Sequence, residues 1–145
     1  MVTPLSQQTT REQGLPLPLR YSMAWDATHT SITDARHAVR VLLDEAGHRP
    51  DERPSQDAQL VVSELVTNAI RHAPGPGALT LELTPDATLL RITVRDSSPR
   101  LPVMPAPDPG RPGGHGLRLV TLLCDRLHHT ALTTGKQIVA HLRLR

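Results

Sequence analysis

From Leu60 to Ile70 the apolar residues Leu60, Val61, Val62, Leu65, Val66, Ala69 and Ile70 recur at three- and four-residue spacing, as a helix with one buried face requires. An earlier run, Ala35, Ala38, Val39, Leu42, Leu43 and Ala46, keeps the same spacing. Ser31 or Thr33 offers it an N-cap and Gly47 a C-cap. Ser55 is the expected start of the second helix, and Ala73-Pro74-Gly75-Pro76-Gly77 ends it. Elsewhere the period is two. Leu17, Leu19, Tyr21, Met23 and Trp25 predict a strand, placed at a sheet edge because Pro18 cannot donate to a ladder. Leu79, Leu81 and Leu83, then Leu90, Ile92 and Val94, flank Pro85-Asp86 and predict a β-hairpin. A third helix is expected from about Gly116 to Leu127, followed by strands near His128–Thr133 and Gln137–Arg143. Residues 1–14 are polar and aperiodic and are expected to be a flexible tail, leaving residues 15–145 as one domain. The order β-α-α-β-β-α-β-β implies an α/β two-layer sandwich, with helices on one face of a mixed, mainly antiparallel sheet.

Composition narrows the picture. With no Phe, one Tyr and one Trp, the core of this 145-residue chain must be built from Leu, Val, Ile and Ala. The net charge of +2 is small and the basic residues are scattered, which gives no footprint for nucleic acid. The single cysteine, Cys124, excludes a disulfide framework. No segment reaches the roughly 18 apolar residues of a membrane span, and the N-terminus lacks the apolar run of a signal peptide. A cytoplasmic protein with no membrane partner is the expectation. The eight histidines show no metal-ligand spacing, and adjacent His128 and His129 would point to opposite faces of a strand.

Three segments carry candidate chemistry. In Ser63-Glu64-Leu65-Val66-Thr67-Asn68-Ala69-Ile70-Arg71-His72, Glu64 and Asn68 are one turn apart and share a side of the helix. A carboxylate and an amide so placed suit a divalent cation held by the amide oxygen, with the acid acting on a nearby proton. The second segment ends the Leu90–Val94 strand in Asp96-Ser97-Ser98-Pro99, putting a hydrogen-bond acceptor on rigid backbone. The third, Gly113-Gly114-His115-Gly116-Leu117-Arg118-Leu119-Val120, lets backbone N–H groups approach an anion ahead of a helix. Taken singly, each has a commoner explanation: a solvated pair, an Asp capping a turn, a tight glycine turn.

In this order and spacing, the segments resemble the Bergerat-type ATP-binding fold of the GHKL superfamily, which sensor histidine kinases and type II topoisomerases share. The wording L-V-V-S-E-L-V-T-N-A-I-R-H-A, V-R-D-S-S-P, G-G-H-G-L-R-L-V and T-G-K-Q-I-V-A-H-L is most similar to the anti-sigma-factor serine kinases, in particular the small stand-alone forms of actinomycetes. The resemblance runs from about Leu15 to the C-terminus. It implies ATP with Mg²⁺, Asn68 as the metal ligand and Glu64 as the catalytic base. It also implies that Asp96 accepts the adenine amine and that Thr134 supports the adenine side. Gly114, His115, Gly116 and Leu117 would lie along the phosphates, with Arg71 and His72 reaching phosphate or closing the pocket. Ser98 stands where the family usually has glycine. Lys136 would either contact phosphate or lie on the surface at a strand entry. The segment between Pro99 and Gly113, with six prolines, takes the position of the lid over the phosphates, with Arg100, Arg111 and His115 as its candidate ligands.

The resemblance further implies a serine/threonine protein kinase that is itself an anti-sigma factor. Its partners would be a sigma factor and an anti-anti-sigma protein of STAS type, and it would work as a homodimer. The alternative is a nucleotide-responsive binding module with weak or no kinase turnover. A detached histidine-kinase catalytic domain is disfavoured by the wording around Glu64 and by the lack of an accompanying phosphoacceptor-His helix.

Overall fold

The computed structural model describes residues 3–8, 11–12, 15–16, 19–26, 32–73, 75–98 and 116–144. Its elements are β1 (Thr3–Gln8), β2 (Arg11–Glu12), β3 (Leu15–Pro16), β4 (Leu19–Trp25), α1 (Ile32–Glu45), α2 (Arg53–His72), β5 (Gly77–Leu83), β6 (Leu89–Asp96), α3 (Gly116–Leu123), β7 (Arg126–Leu132) and β8 (Gly135–Arg143). Six strands form one sheet in the order β1-β4-β5-β6-β8-β7, while β2 and β3 pair only with each other. Every pairing in the large sheet is antiparallel.

Alternation decides which side of the sheet is covered. Met23, Leu79, Leu81, Leu83, Leu90, Ile92, Val94, Ile138, Ala140 and Leu142 are all buried and share one face. Onto it pack the buried stripes of α1 (Ala35, Val39, Leu42, Leu43) and α2 (Ala58, Val61, Val62, Leu65, Val66, Ala69). Each fully buried Leu or Val contributes about 1.5–3 kcal/mol relative to exposure, enough for aliphatic residues to carry the core without Phe. The opposite face is polar. Its cross-strand rows include Arg20, Glu82, Arg91 and His141, with Arg91 Nε 3.1 Å from Glu82 Oε1.

Helix ends follow their residues. Gly47, at φ +93°, turns the chain out of α1 while its N–H and that of His48 bond back to Asp44 and Leu43, a Schellman closure. The α2 helix begins two residues before the expected Ser55, with Pro54 in its first turn, where a missing N–H costs nothing.

Two further elements differ from expectation. The strand ending at Trp25 is not at the edge, because Thr3–Gln8, expected within a tail, runs antiparallel along it. Polar residues with no period carry no signal for an added edge strand, whose stability comes from backbone bonds. The third helix stops at Leu123 rather than Leu127. Asp125 N–H bonds to His141 O at 2.9 Å and its Oδ2 accepts from Arg143 N–H at 2.7 Å, so the β8 ladder claims the chain before another helical turn forms. No helix among the described residues is long and apolar enough to cross a membrane.

Candidate functional site

Glu64 and Asn68 sit one turn apart on α2, both half-buried on the flank of its apolar stripe. Glu64 has no side-chain hydrogen bond or ion pair among the described residues, so its carboxylate is uncommitted. Asn68 is more unusual: its Nδ2 is buried and has no hydrogen-bond partner among the described residues. A buried polar group left unpaired costs about 1–3 kcal/mol, and native folds carry few of them. The two ends of an amide are interchangeable by rotation about its last bond. Turned, Asn68 presents an oxygen at the same unpaired place, as a hard cation requires. The residues therefore fit Mg²⁺, which needs only one or two protein ligands beside phosphate oxygens. Among the described residues no group of three or more His, Cys, Asp or Glu side chains could hold a metal instead.

The C-terminal end of α2 is tied to the end of β6. Ser97 Oγ donates to Pro76 O at 2.5 Å, across the segment leading from the helix into β5. Gly75, at φ +149°, packs against the same serine; a Cβ there would stand 3.2 Å from Ser97 Oγ. Next to this contact lies Asp96, buried on the helix-covered face in phase with Leu90, Ile92 and Val94. Its Oδ1 accepts the Ser98 N–H at 2.9 Å. Its Oδ2 lies 2.7 Å from Lys136 Nζ, and both side chains are only 2% exposed.

Lys136 is therefore not at the surface. It is the Cα partner of Asp96 across β6 and β8, in phase with buried Ile138, Ala140 and Leu142. Gly135 makes this approach possible, since a Cβ there would overlap the Asp96 carbonyl oxygen. Thr134, expected to support the base, lies exposed in the turn between β7 and β8; the residue that meets Asp96 is two positions later. Counting the alternation back from Leu142 would have placed Lys136 inside. Ser98 takes the glycine position without strain, because Ala87 is the one described non-glycine residue at positive φ.

The remaining candidates separate. Arg71 and His72 are exposed in the last turn of α2. Gly116 opens α3, and Leu117 packs half-buried against the core. Gly114, His115, Arg100 and Arg111 lie outside the described residues. Among the histidines of the sheet edge, burial lowers the pKa of His129, and so does the Lys136 charge. Burial also lowers that of His141, whose ring meets His128 edge-on at 5.9 Å. Burial pushes the Cys124 thiol up to about 11, with the Asp125 charge adding to the effect.

A separate open groove of about 530 Å³ between α1 and α2 is lined by Arg36, Arg40, Asp51, Gln56, Gln59 and Ser63, among others. None of Glu64, Asn68, Asp96 or Lys136 lines it.

The backbone is similar to that of the histidine kinase domain from the Erythrobacter litoralis EL346 blue-light activated histidine kinase. The two are 23% identical, with a TM-score of 0.47, over 81% of this chain and 66% of that one. No curated relative matches the sequence. The family model for the histidine kinase-like ATPase domain matches residues 25–142, from Trp25 at the end of β4 to Leu142 in β8, and so takes in Glu64, Asn68, Asp96 and Lys136. By that match the chain belongs to the histidine kinase-like ATPase domain family, a family of ATP-binding domains.

Proposed function

We propose that the protein is an ATP-dependent serine/threonine kinase that acts as an anti-sigma factor and phosphorylates an anti-anti-sigma protein of STAS type. The observation that carries this reading is the pairing on α2 of an uncommitted half-buried carboxylate with an amide whose buried end has no partner among the described residues. Glu64 is set to take the proton of a serine hydroxyl as that oxygen attacks the γ-phosphorus of ATP and the bond to ADP breaks. Asn68 holds the divalent cation, which when bound neutralises phosphate charge. Asp96 is the acceptor for the base, held in place by the Ser98 N–H. A phosphate added to the STAS partner would bring about −1.5 to −2 charges to its interface and release it, freeing the kinase to hold its sigma factor. A homodimer is part of this proposal.

Glu64→Gln keeps shape and hydrogen bonding but takes no proton. Phosphate transfer from labelled ATP to a serine-bearing STAS domain should fall by about 10²–10⁴, with capture of that domain unchanged. Equal rates would remove Glu64 as the base. The second reading, a nucleotide-responsive module without turnover, is favoured by one observation, the engagement of Asp96 by Lys136. It takes over if the wild type transfers no phosphate to any such partner.

A further inference from the structure

The sheet gathers arginines that are scattered along the sequence. On the face away from α1 and α2, one cross-strand row runs Arg20 on β4, Glu82 on β5, Arg91 on β6, His141 on β8 and Arg126 on β7. Arg95, four residues beyond Arg91, and Arg143, two beyond His141, extend the charge to either side of that row. All five arginines are exposed. Glu82, which Arg91 already engages, is the only acid at a strand position of this face among the described residues. Burial, then the charges of Arg126, His128 and Arg91, hold the His141 pKa below its usual value, as crowded cations do. Like charges on neighbouring strands destabilise a sheet, so the Arg91–His141–Arg126 part of the row works against the fold. An anionic occupant would reverse that sign.

Three occupants can be compared. A second copy would set arginines against arginines. Nucleic acid held on an open sheet needs aromatic rings for its bases. Tyr21 and Trp25 lie in phase with buried Met23, on the covered face, so this face has none. Protein carboxylates need no such platform, and a protein can place a base opposite Glu82, which a run of phosphates cannot. Spacing then chooses the element. Strands lie about 4.8 Å apart, so Arg20, Arg91 and Arg126, on every second strand, recur about every 9.6 Å. Residues seven apart on a helix are separated by about 10.5 Å. An extended strand offers same-side residues about 6.8 or 13.6 Å apart and misses the row. We infer that this face docks an acidic helix of a partner protein, laid across the strands along the arginine row. Its carboxylates at i, i+7 and i+14 meet Arg20, Arg91 and Arg126, with a base near i+3 against Glu82 and an acid near i+10 against His141. The surface is separate from the site at Asp96, whose side chain points to the other face of β6.

Fluorescence anisotropy of the full chain with a labelled helical peptide tests this, the peptide carrying Glu at i, i+7, i+10 and i+14 and Lys at i+3. It should bind with a Kd below about 100 μM at low salt. A peptide of the same composition, with its glutamates moved off that spacing, should bind about 5-fold weaker or worse, the worth of one aligned charge pair. Arg126→Glu and Arg20→Glu should each weaken binding about 10-fold, since reversal turns attraction into repulsion. Arg53→Glu makes the same charge change at an exposed site on α2 and should leave binding unchanged. The His141 pKa, followed by NMR, should rise in the complex as the carboxylates offset the cations around it. Equal binding of the two peptides, or an equal loss from Arg53→Glu, overturns the inference in favour of unspecific attraction. Tighter binding of a DNA duplex of equal charge gives the face to nucleic acid, and a dimer that Arg126→Glu dissolves in sedimentation gives it to a second copy; either overturns the inference. So does a peptide that fails to bind the wild type.

Discussion

At the Leu89 end of β6, the turn from Thr84 to Thr88 is closed by polar groups that satisfy one another in water. Asp86 Oδ1 accepts the Thr84 hydroxyl at 2.7 Å, the Thr88 hydroxyl at 2.8 Å and the Thr88 N–H at 3.1 Å. Behind it, buried His48 donates from Nε2 to Ala87 O at 2.7 Å, which holds Ala87 at φ +58°. At the Asp96 end, seven residues along the strand, a charge pair is shut away from water, and the amide of Asn68 on the nearby helix has a buried nitrogen with no partner among the described residues. The first end spends its polar groups on the fold. The second keeps some unspent, as a site that must bind something does.

Three substitutions test this contrast, from the largest effect downward. Gly135→Ala drives a Cβ into the Asp96 carbonyl. Backbone cannot yield as a flexible side chain does, so the loss of stability should exceed about 3 kcal/mol in urea unfolding. A smaller loss would mean that the β6–β8 approach is looser than described. Asn68→Leu should do the reverse of a typical core change. It removes an unpaired buried polar group and should stabilise the fold by about 1 kcal/mol, while the Mg²⁺-dependent part of ATP affinity disappears. Lower stability would show that the amide has a partner in solution. Asp86→Asn should be the mildest. Hydrogen bonds from the Thr84 hydroxyl, then from Thr88, hold the Asp86 carboxyl below its usual pKa. A lowered folded-state value means a stabilisation present above the unfolded pKa and lost as pH falls through the folded one. The wild type should thus be slightly more stable than Asp86→Asn at neutral pH, and the gap should close in acid. A gap that persists below pH 3 would assign it to shape instead of charge.

Much of the architecture could be read from periodicity, because the core faces of α1, α2, β5 and β6 are pure in their spacing. The places of Glu64, Asn68 and Asp96 in the fold could be read in the same way, because each stands at a fixed position on such an element. Lys136 was misplaced for a physical reason: a lysine beside a turn is ordinarily solvated, and only its phase with Ile138, Ala140 and Leu142 says otherwise. Thr134 drew the base-side role from the resemblance, and the structure places it exposed in the turn before β8. The edge strand at Thr3–Gln8 was illegible, since backbone pairing leaves no trace in side-chain pattern. The early end of α3 was set by Asp125, whose partners His141 and Arg143 are distant in sequence.

Trp25 is the only tryptophan in the chain. Its indole lies against Gly77, where any Cβ would overlap it, and Gly77 directly precedes the residue that pairs with Arg95, one step from Asp96. The molecule thus carries one buried emitter at the same end of the sheet as its charge pair, with no second indole to dilute the signal. Events at that end have an optical channel of their own, built into the fold before any label is attached.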